Sequence, residues 1–322
     1  MSVPSNYALP SALLTLSCSQ VMSGDISSCG LHLQAAAKLI TETAKSKTHY
    51  SPRSAALHRI YFYLSTIYDS TETRVPSLRP QEGSNVESPL SNDFAGIDGS
   101  KIPTTPRAGF YNPKHKGGYE SIYAIPKDLL IFLAHTTELI NLTSEAREKS
   151  GTSHIPLTLA ERCDELEMRI MDWQADPIPA DVTSSPIANP SIIFNMTHAF
   201  HKAIIIFFAQ HIRLMGHRYL RHYVEDVIDS IEEVERIKVE WQVSASPLYW
   251  PAFIAASEAF DVRLQERFKS WYAAVEPNAI GSMNTGISLL QHVWAEGPST
   301  NVHLTSLWRH IAIRTGTLLM LN

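Results

Sequence analysis

Tyr219 to Trp241 reads YLRHYVEDVIDSIEEVERIKVEW. Within it Val227, Ile228, Ile231, Val234 and Ile237 recur at intervals of three and four residues. That spacing places them on one stripe of an α-helix and leaves charged side chains on the other faces. A strand would alternate every second residue, and this segment does not. The same period holds outward in both directions. Ile192 to Gly216 is the most apolar stretch and the natural centre of a core. Trp250 to Val275, Met283 to Trp294 and Leu304 to Leu321 follow as predicted helices. Leu9 to Val21, Leu31 to Thr43, Arg53 to Ser70, Pro126 to Lys149 and Pro156 to Trp173 precede. The sequence therefore predicts an all-α protein: one bundle-like domain over residues 1–322, built from about ten helices. Residues 75–125 are rich in Pro, Gly, Ser and Asn and read as a long irregular loop within it.

Hydrophobic residues make up 44% of the 322 and charged residues 18%, so the chain has enough apolar side chain for a sizeable core. Its 27 Lys and Arg against 32 Asp and Glu give a net charge of −5. Phosphate backbones are gripped by a basic face, so direct nucleic-acid binding is not expected. Cys18, Cys29 and Cys163 have no metal-ligand spacing and read as buried or idle thiols of a reducing compartment. No charged segment followed by a long apolar stretch opens the chain, and the run Ala203 to Ala209 is too short to span a bilayer. No membrane partner is expected. The glycosylation sequons at Asn141 and Asn195 read as chance matches, and Lys114-His-Lys-Gly-Gly lacks the spacing of a phosphate loop.

Trp250 to Trp271, WPAFIAASEAFDVRLQERFKSW, has a second use. Proline suits the first turn of a helix, where its missing N–H would have no partner. The Trp-Pro pair, the small apolar run, Glu258-Ala and the later arginines resemble a signature of the regulatory domain of fungal zinc-cluster transcription factors. Other fragments resemble that domain in the same order: Leu13 to Leu39, Ile67 to Pro76, Leu166 to Trp173, His198 to Ile212, and Trp294. The resemblance implies a nuclear regulator in a fungal metabolic or secondary-metabolite pathway, working through protein contacts or effector sensing and needing no cofactor. Its partners would be a zinc-cluster factor, a homodimer mate or the transcriptional machinery, with an apolar small molecule as a further ligand. Trp250, Pro251, Glu258, Arg263 and Arg267 would be structural, and Glu258 would pair with a basic residue inside the bundle. One departure concerns the six-cysteine cluster with which such factors begin. Cys18 and Cys29 alone cannot build it, so a regulatory domain without its own DNA-reading module is expected.

A different chemistry competes on the same scaffold. Glu225, Asp229 and Glu233 fall every four residues on one helix face. They resemble the magnesium-binding triplet of class I terpene cyclases, with Asp69-Ser-Thr-Glu72 as the counterpart on another helix. Magnesium would take these oxygen ligands, and Arg213, Arg218 and Arg221 would hold a diphosphate. A cytoplasmic sesquiterpene cyclase would follow. The triplet departs from the cyclase pattern at its first two positions, and the Asp69 motif lacks a doubled aspartate. The same carboxylates also read as the solvated face of an amphipathic helix. His198 and His201 could share a metal, or sit neutral in hydrogen bonds. Trp241, Trp250, Trp271, Trp294 and Trp308 could line an apolar cavity, or form plain core. The discriminating observation is whether the carboxylates converge on one cavity.

Overall fold

The computed structural model describes residues 26–46, 52–73, 125–175, 189–243, 245–276, 281–298 and 306–321. Among these the regular elements are helices: α1 (Ile26–Ser46), α2 (Pro52–Thr71), α3 (Lys127–Ser150), α4 (Leu157–Met171), α5 (Pro190–Phe208), α6 (His217–Trp241), α7 (Tyr249–Ala256), α8 (Val262–Val275), α9 (Gly281–Glu296) and α10 (Leu307–Thr315). The all-α reading holds. The predicted helix at Leu9 to Val21, the Cys18 thiol and the predicted loop through residue 124 lie outside the described residues.

α5 is the axis of the packing. Asn189 opens it, its side-chain oxygen accepting from the Ser191 N–H at 2.9 Å with Pro190 in the first turn. The first half of the helix leaves Ser191 and Phe194 exposed, and its second half, Ala203 to Phe208, is an unbroken buried apolar run. It packs on α3, α4, α6 and α7. Pro190–Arg213 is long and apolar enough to cross a membrane, yet 72% of that window is buried inside the protein. α6 runs antiparallel to α5: His198 meets Ser230 at 2.9 Å and Lys202 meets Asp226 at 3.1 Å, so residues ascending in one match residues descending in the other. The stripe Val227, Ile228, Ile231, Val234 and Ile237 faces this contact and is buried.

The core is aromatic. Trp250 packs its ring against Phe200 at 5.0 Å and Phe207 at 5.6 Å, and Trp308 meets Phe253 at 5.4 Å. Each of these side chains is fully buried, contributing about 2 kcal/mol or more of transfer free energy. The tryptophans therefore do not line a common cavity. Trp250 and Trp308 are core, Trp294 is half-buried, and Trp241 is 64% exposed at the end of α6. Cys29 and Cys163 are buried and are not joined in a disulfide.

Three predicted helices end differently. Trp250 to Val275 divides into α7 and α8, because Asp261 takes an extended conformation and its carboxylate accepts from the Arg263 N–H at 2.9 Å. That cap starts a new helix on a new axis. The final helix stops at Thr315 rather than Leu321. Gly316 adopts φ 64°, and the Thr317 N–H reaches back to the Ala312 carbonyl at 2.9 Å, a left-handed close that ends the helix. α5 leaves the α register at Ala209–Arg213, where one π turn intervenes, followed by Leu214 at φ 52°.

Candidate functional site

The π turn positions the site. It widens the backbone spiral by one residue and re-aims the side chains it carries. Gln210, 3% exposed, thereby points its amide nitrogen at the turn between α7 and α8. It donates to Ser257 Oγ and to Glu258 Oε1, both at 2.9 Å. Ser257 can accept because its own hydrogen goes to the Ile254 carbonyl at 2.8 Å. The Gln210 carboxamide oxygen is buried with no hydrogen-bond partner among the described residues.

Glu258 stands on the wall of a cavity of about 430 Å³, lined also by His217, Arg218, Arg221, Phe260, Asp261 and Leu264. Its surroundings come from three elements: the π turn, the first turns of α6, and the α7–α8 connection. Desolvation pushes its carboxyl up to about 7, and the hydrogen bond from Gln210 only partly opposes this. Among the described residues no cation pairs with it, where the sequence reading expected a basic partner. Arg221 is occupied elsewhere, meeting Glu225 at 2.9 Å and Asp261 at 3.3 Å. Arg218 is exposed and makes no ion pair among the described residues. His217 lies edge-on to Phe260 at 5.2 Å, and burial with the Arg218 charge beside it lowers its pKa. Asp261 is held below the usual carboxylate range by the Arg263 N–H and the Arg221 charge. Among the described residues the cavity thus joins an arginine without an ion pair, a carboxyl poised near neutrality and an apolar flank. Such a set can recognise a small molecule by charge and hydrogen bonding. It contains no serine or cysteine nucleophile.

Behind the π turn lies a buried polar cluster that sequence patterning did not single out. Arg147, 1% exposed, donates to the carbonyls of His211 at 2.7 Å, Ile212 at 2.6 Å and Ser153 at 3.2 Å. It thereby satisfies carbonyls that the end of the helix leaves without partners. Burial holds the His211 pKa well below its ordinary value, with Arg309 and Arg147 adding to the effect. The ring is neutral, and the Phe207 carbonyl at 2.9 Å can only accept, so Nδ1 carries the hydrogen. Nε2 then accepts from Ser306 Oγ at 2.7 Å, immediately before α10. Arg309 on α10 donates to the Ser70 carbonyl at 2.7 Å, and Trp250 Nε1 donates to Ser70 Oγ at 2.9 Å. The last turn of α2, the π turn, α7 and α10 are joined through these bonds.

The acidic triplet is arranged otherwise than a magnesium site requires. Glu225 is paired with Arg221, Asp229 with Arg267 at 2.7 Å, and Glu233 with Arg236 at 2.7 Å. Their side chains are 42%, 65% and 39% exposed, which marks a solvated face. Asp69 and Glu72 stand at the end of α2. Among the described residues no group of three or more His, Cys, Asp or Glu could hold a metal ion. The three arginines also part company. Arg213 is bound to Asp164 at 2.6 Å and to Glu167, whereas Arg218 and Arg221 share the cavity. His198 donates Nδ1–H to Ser230, whose own hydrogen goes to the Asp226 carbonyl. His201 donates to the Ile170 carbonyl at 2.7 Å. Of the signature residues, Trp250 and Pro251 are buried and Arg267 ties α8 to α6 through Asp229 and Glu232. Arg263 is 84% exposed beside Asp261.

The profile of the fungal specific transcription factor domain matches residues 4–321. Arginine metabolism regulation protein II of Saccharomyces cerevisiae is 20% identical over an alignment of 365 residues, which covers 91% of this chain and 41% of that protein. The chain therefore spans less than half the length of this relative. No solved structure matches. A match over nearly the whole chain, on an all-helical core that keeps the Trp-Pro turn at its centre, is decisive: the chain belongs to the fungal specific transcription factor domain family.

Proposed function

We propose that this domain is the regulatory module of a nuclear transcription factor, and that a small effector held in the cavity beside Glu258 controls its protein contacts. The observation that carries this reading is the cavity itself. It places a carboxyl of near-neutral pKa and, among the described residues, an arginine without an ion pair next to the π turn. That turn is bonded through His211 and Ser306 to the start of α10, and through Arg147 to α3. A ligand that moves Glu258 therefore acts on a buried network joining several helices, and a population shift can follow from its differential contacts. The output would pass to a zinc-cluster factor, a second copy of the chain or the transcriptional machinery, in a fungal metabolic or secondary-metabolite pathway. The net charge of −5 supports a role without its own grip on DNA.

The test is a fusion of the full chain to a heterologous DNA-binding module in a fungal reporter strain. Reporter output should change with nutrient supply, and Arg218→Ala and Glu258→Gln should each alter that response at unchanged protein level. Output that is constant across conditions and across these variants would sink the effector reading.

A further inference from the structure

The charges around the cavity define the class of molecule it suits. Three positively charged or titratable groups come from the start of α6. His217 is biased toward its neutral form, Arg221 already serves Glu225 and Asp261, and Arg218 makes no ion pair among the described residues. On the opposite wall Asp261 serves Arg221 and the first N–H groups of α8. Among the described residues the Glu258 carboxyl, from the same connection, meets Gln210 and no cation. Arg263 also stands 3.6 Å from Asp261, so with Glu258 protonated the arginines Arg218, Arg221 and Arg263 face the two carboxylates of Glu225 and Asp261, a balance of one spare positive charge that a monoanion would neutralise and a dianion would exceed. Gly216 gives α6 no side-chain cap, and the first turn of α6 carries no acidic residue of its own. Phe260 and Leu264 make the flank apolar. An inorganic anion would leave that flank unused, and 430 Å³ falls in the range of small-molecule pockets.

We propose that this cavity is a binding site for an organic monocarboxylate, whose anionic group pairs with Arg218 and accepts a hydrogen bond from protonated Glu258, while its hydrocarbon body packs on Phe260 and Leu264. The proposal rests on the effector reading above and gives it a ligand class. Its mark is proton uptake. Ionised Glu258 repels the carboxylate and the protonated form donates to it. With a carboxyl titrating near 7, binding strengthens as pH falls. The groups facing Glu258 are Gln210 and Ser257 from within the fold and His217, Arg218, Arg221 and Asp261 around the cavity. Among these, Glu258 is the carboxyl placed to change charge across neutrality.

The test uses calorimetric titration of the full chain with benzoate, and with benzylamine as its cationic counterpart, at pH 6 and pH 8. Benzoate should bind roughly tenfold more tightly at pH 6, since affinity scales with the competent protonated fraction. Arg218→Ala should weaken benzoate at least about tenfold, and Arg236→Ala, outside the cavity, should not. Glu258→Gln should keep benzoate binding and flatten its pH dependence. Benzylamine binding in place of benzoate would overturn the carboxylate class and leave the effector reading intact. Benzoate binding that is independent of pH, or equally sensitive to Arg236→Ala, would overturn the proposal as non-specific. No binding of either probe overturns it too, and if the reporter fusion also ignores Arg218→Ala and Glu258→Gln, the effector reading falls with it.

Discussion

Single residues carry most of the chemistry. Glu258 matches the signature and reads as a structural acid, but burial without a cation gives it a different property. Its native pKa lies near 7, against an ordinary value of 4.5. The native state thus binds a proton more tightly than the unfolded chain. Its contribution to stability is complete below pH 4.5, declines as pH rises toward 7, and is absent above. Glu258→Gln removes this slope. In urea denaturation at pH 5 and pH 8, the stability of Glu258→Gln relative to the parent should rise by about 2 kcal/mol toward the higher pH. Equal differences at both pH values would show that Glu258 titrates normally. Arg147 is the converse case, a buried charge with each of its three nitrogens donating to a backbone carbonyl. Arg147→Met strands the carbonyls of His211 and Ile212 in a dry interior. The cost should be about 3 kcal/mol by chemical denaturation. A loss below about 1 kcal/mol would mean that water replaces the guanidinium there. No local pattern around Arg147 announces this role, since the π-turn carbonyls it holds lie 64 and 65 residues away.

Periodicity served the helical elements well, and failed where a backbone conformation rather than a side-chain pattern sets the boundary. The stripe in α6 was legible because apolar spacing is the direct image of a buried face. The break at Asp261 was not, because Ala259 and Phe260 continue the apolar character of α7 into the turn and mask the cap. The π turn in Ala209–Arg213 has no periodic signal either. It shows in the fold as Leu214 at φ 52°, where a glycine would be expected. With it went the reach of Gln210 toward Glu258, so the site's deepest contact was invisible to a reading by helical spacing. Gly316 is the helix end that chemistry does announce. Its φ is 64° and a Cβ there would meet nothing within 4 Å. Gly316→Ala should therefore cost about 1 kcal/mol through backbone conformation alone. Thermal unfolding of the variant checks this, and a loss of several kcal/mol would point to a packing role for the turn that open space does not provide.

At the scale of the whole molecule the question is which face of the bundle does the work. The sequence offered two groups of charge, the acidic triplet on α6 and the arginines at its start, and it could not say which side of each helix faced a neighbour. Packing decides this. α6 turns Val227, Ile231 and Val234 onto α5, which sends Asp229 and Glu233 outward to Arg267 and Arg236. The turn from α7 into α8 meets the other end of α6 and groups Arg218, Arg221 and Glu258 around the cavity instead. A cyclase requires its carboxylates and its phosphate-binding cations around one cavity, with metal ions bridging them. Here Glu225 alone meets a cavity arginine, Arg221, while Asp229 and Glu233 pair with Arg267 and Arg236 instead, and such exposed pairs contribute little beyond surface electrostatics. Incubated with farnesyl diphosphate and magnesium, the folded protein should release no diphosphate, and Asp229→Ala should leave both its fold and that outcome unchanged. Diphosphate release above a heat-denatured control, abolished by Asp229→Ala, would require the exposed carboxylates to rearrange around a metal and would reverse the assignment of the working face from the Glu258 end of α6 to its acidic surface.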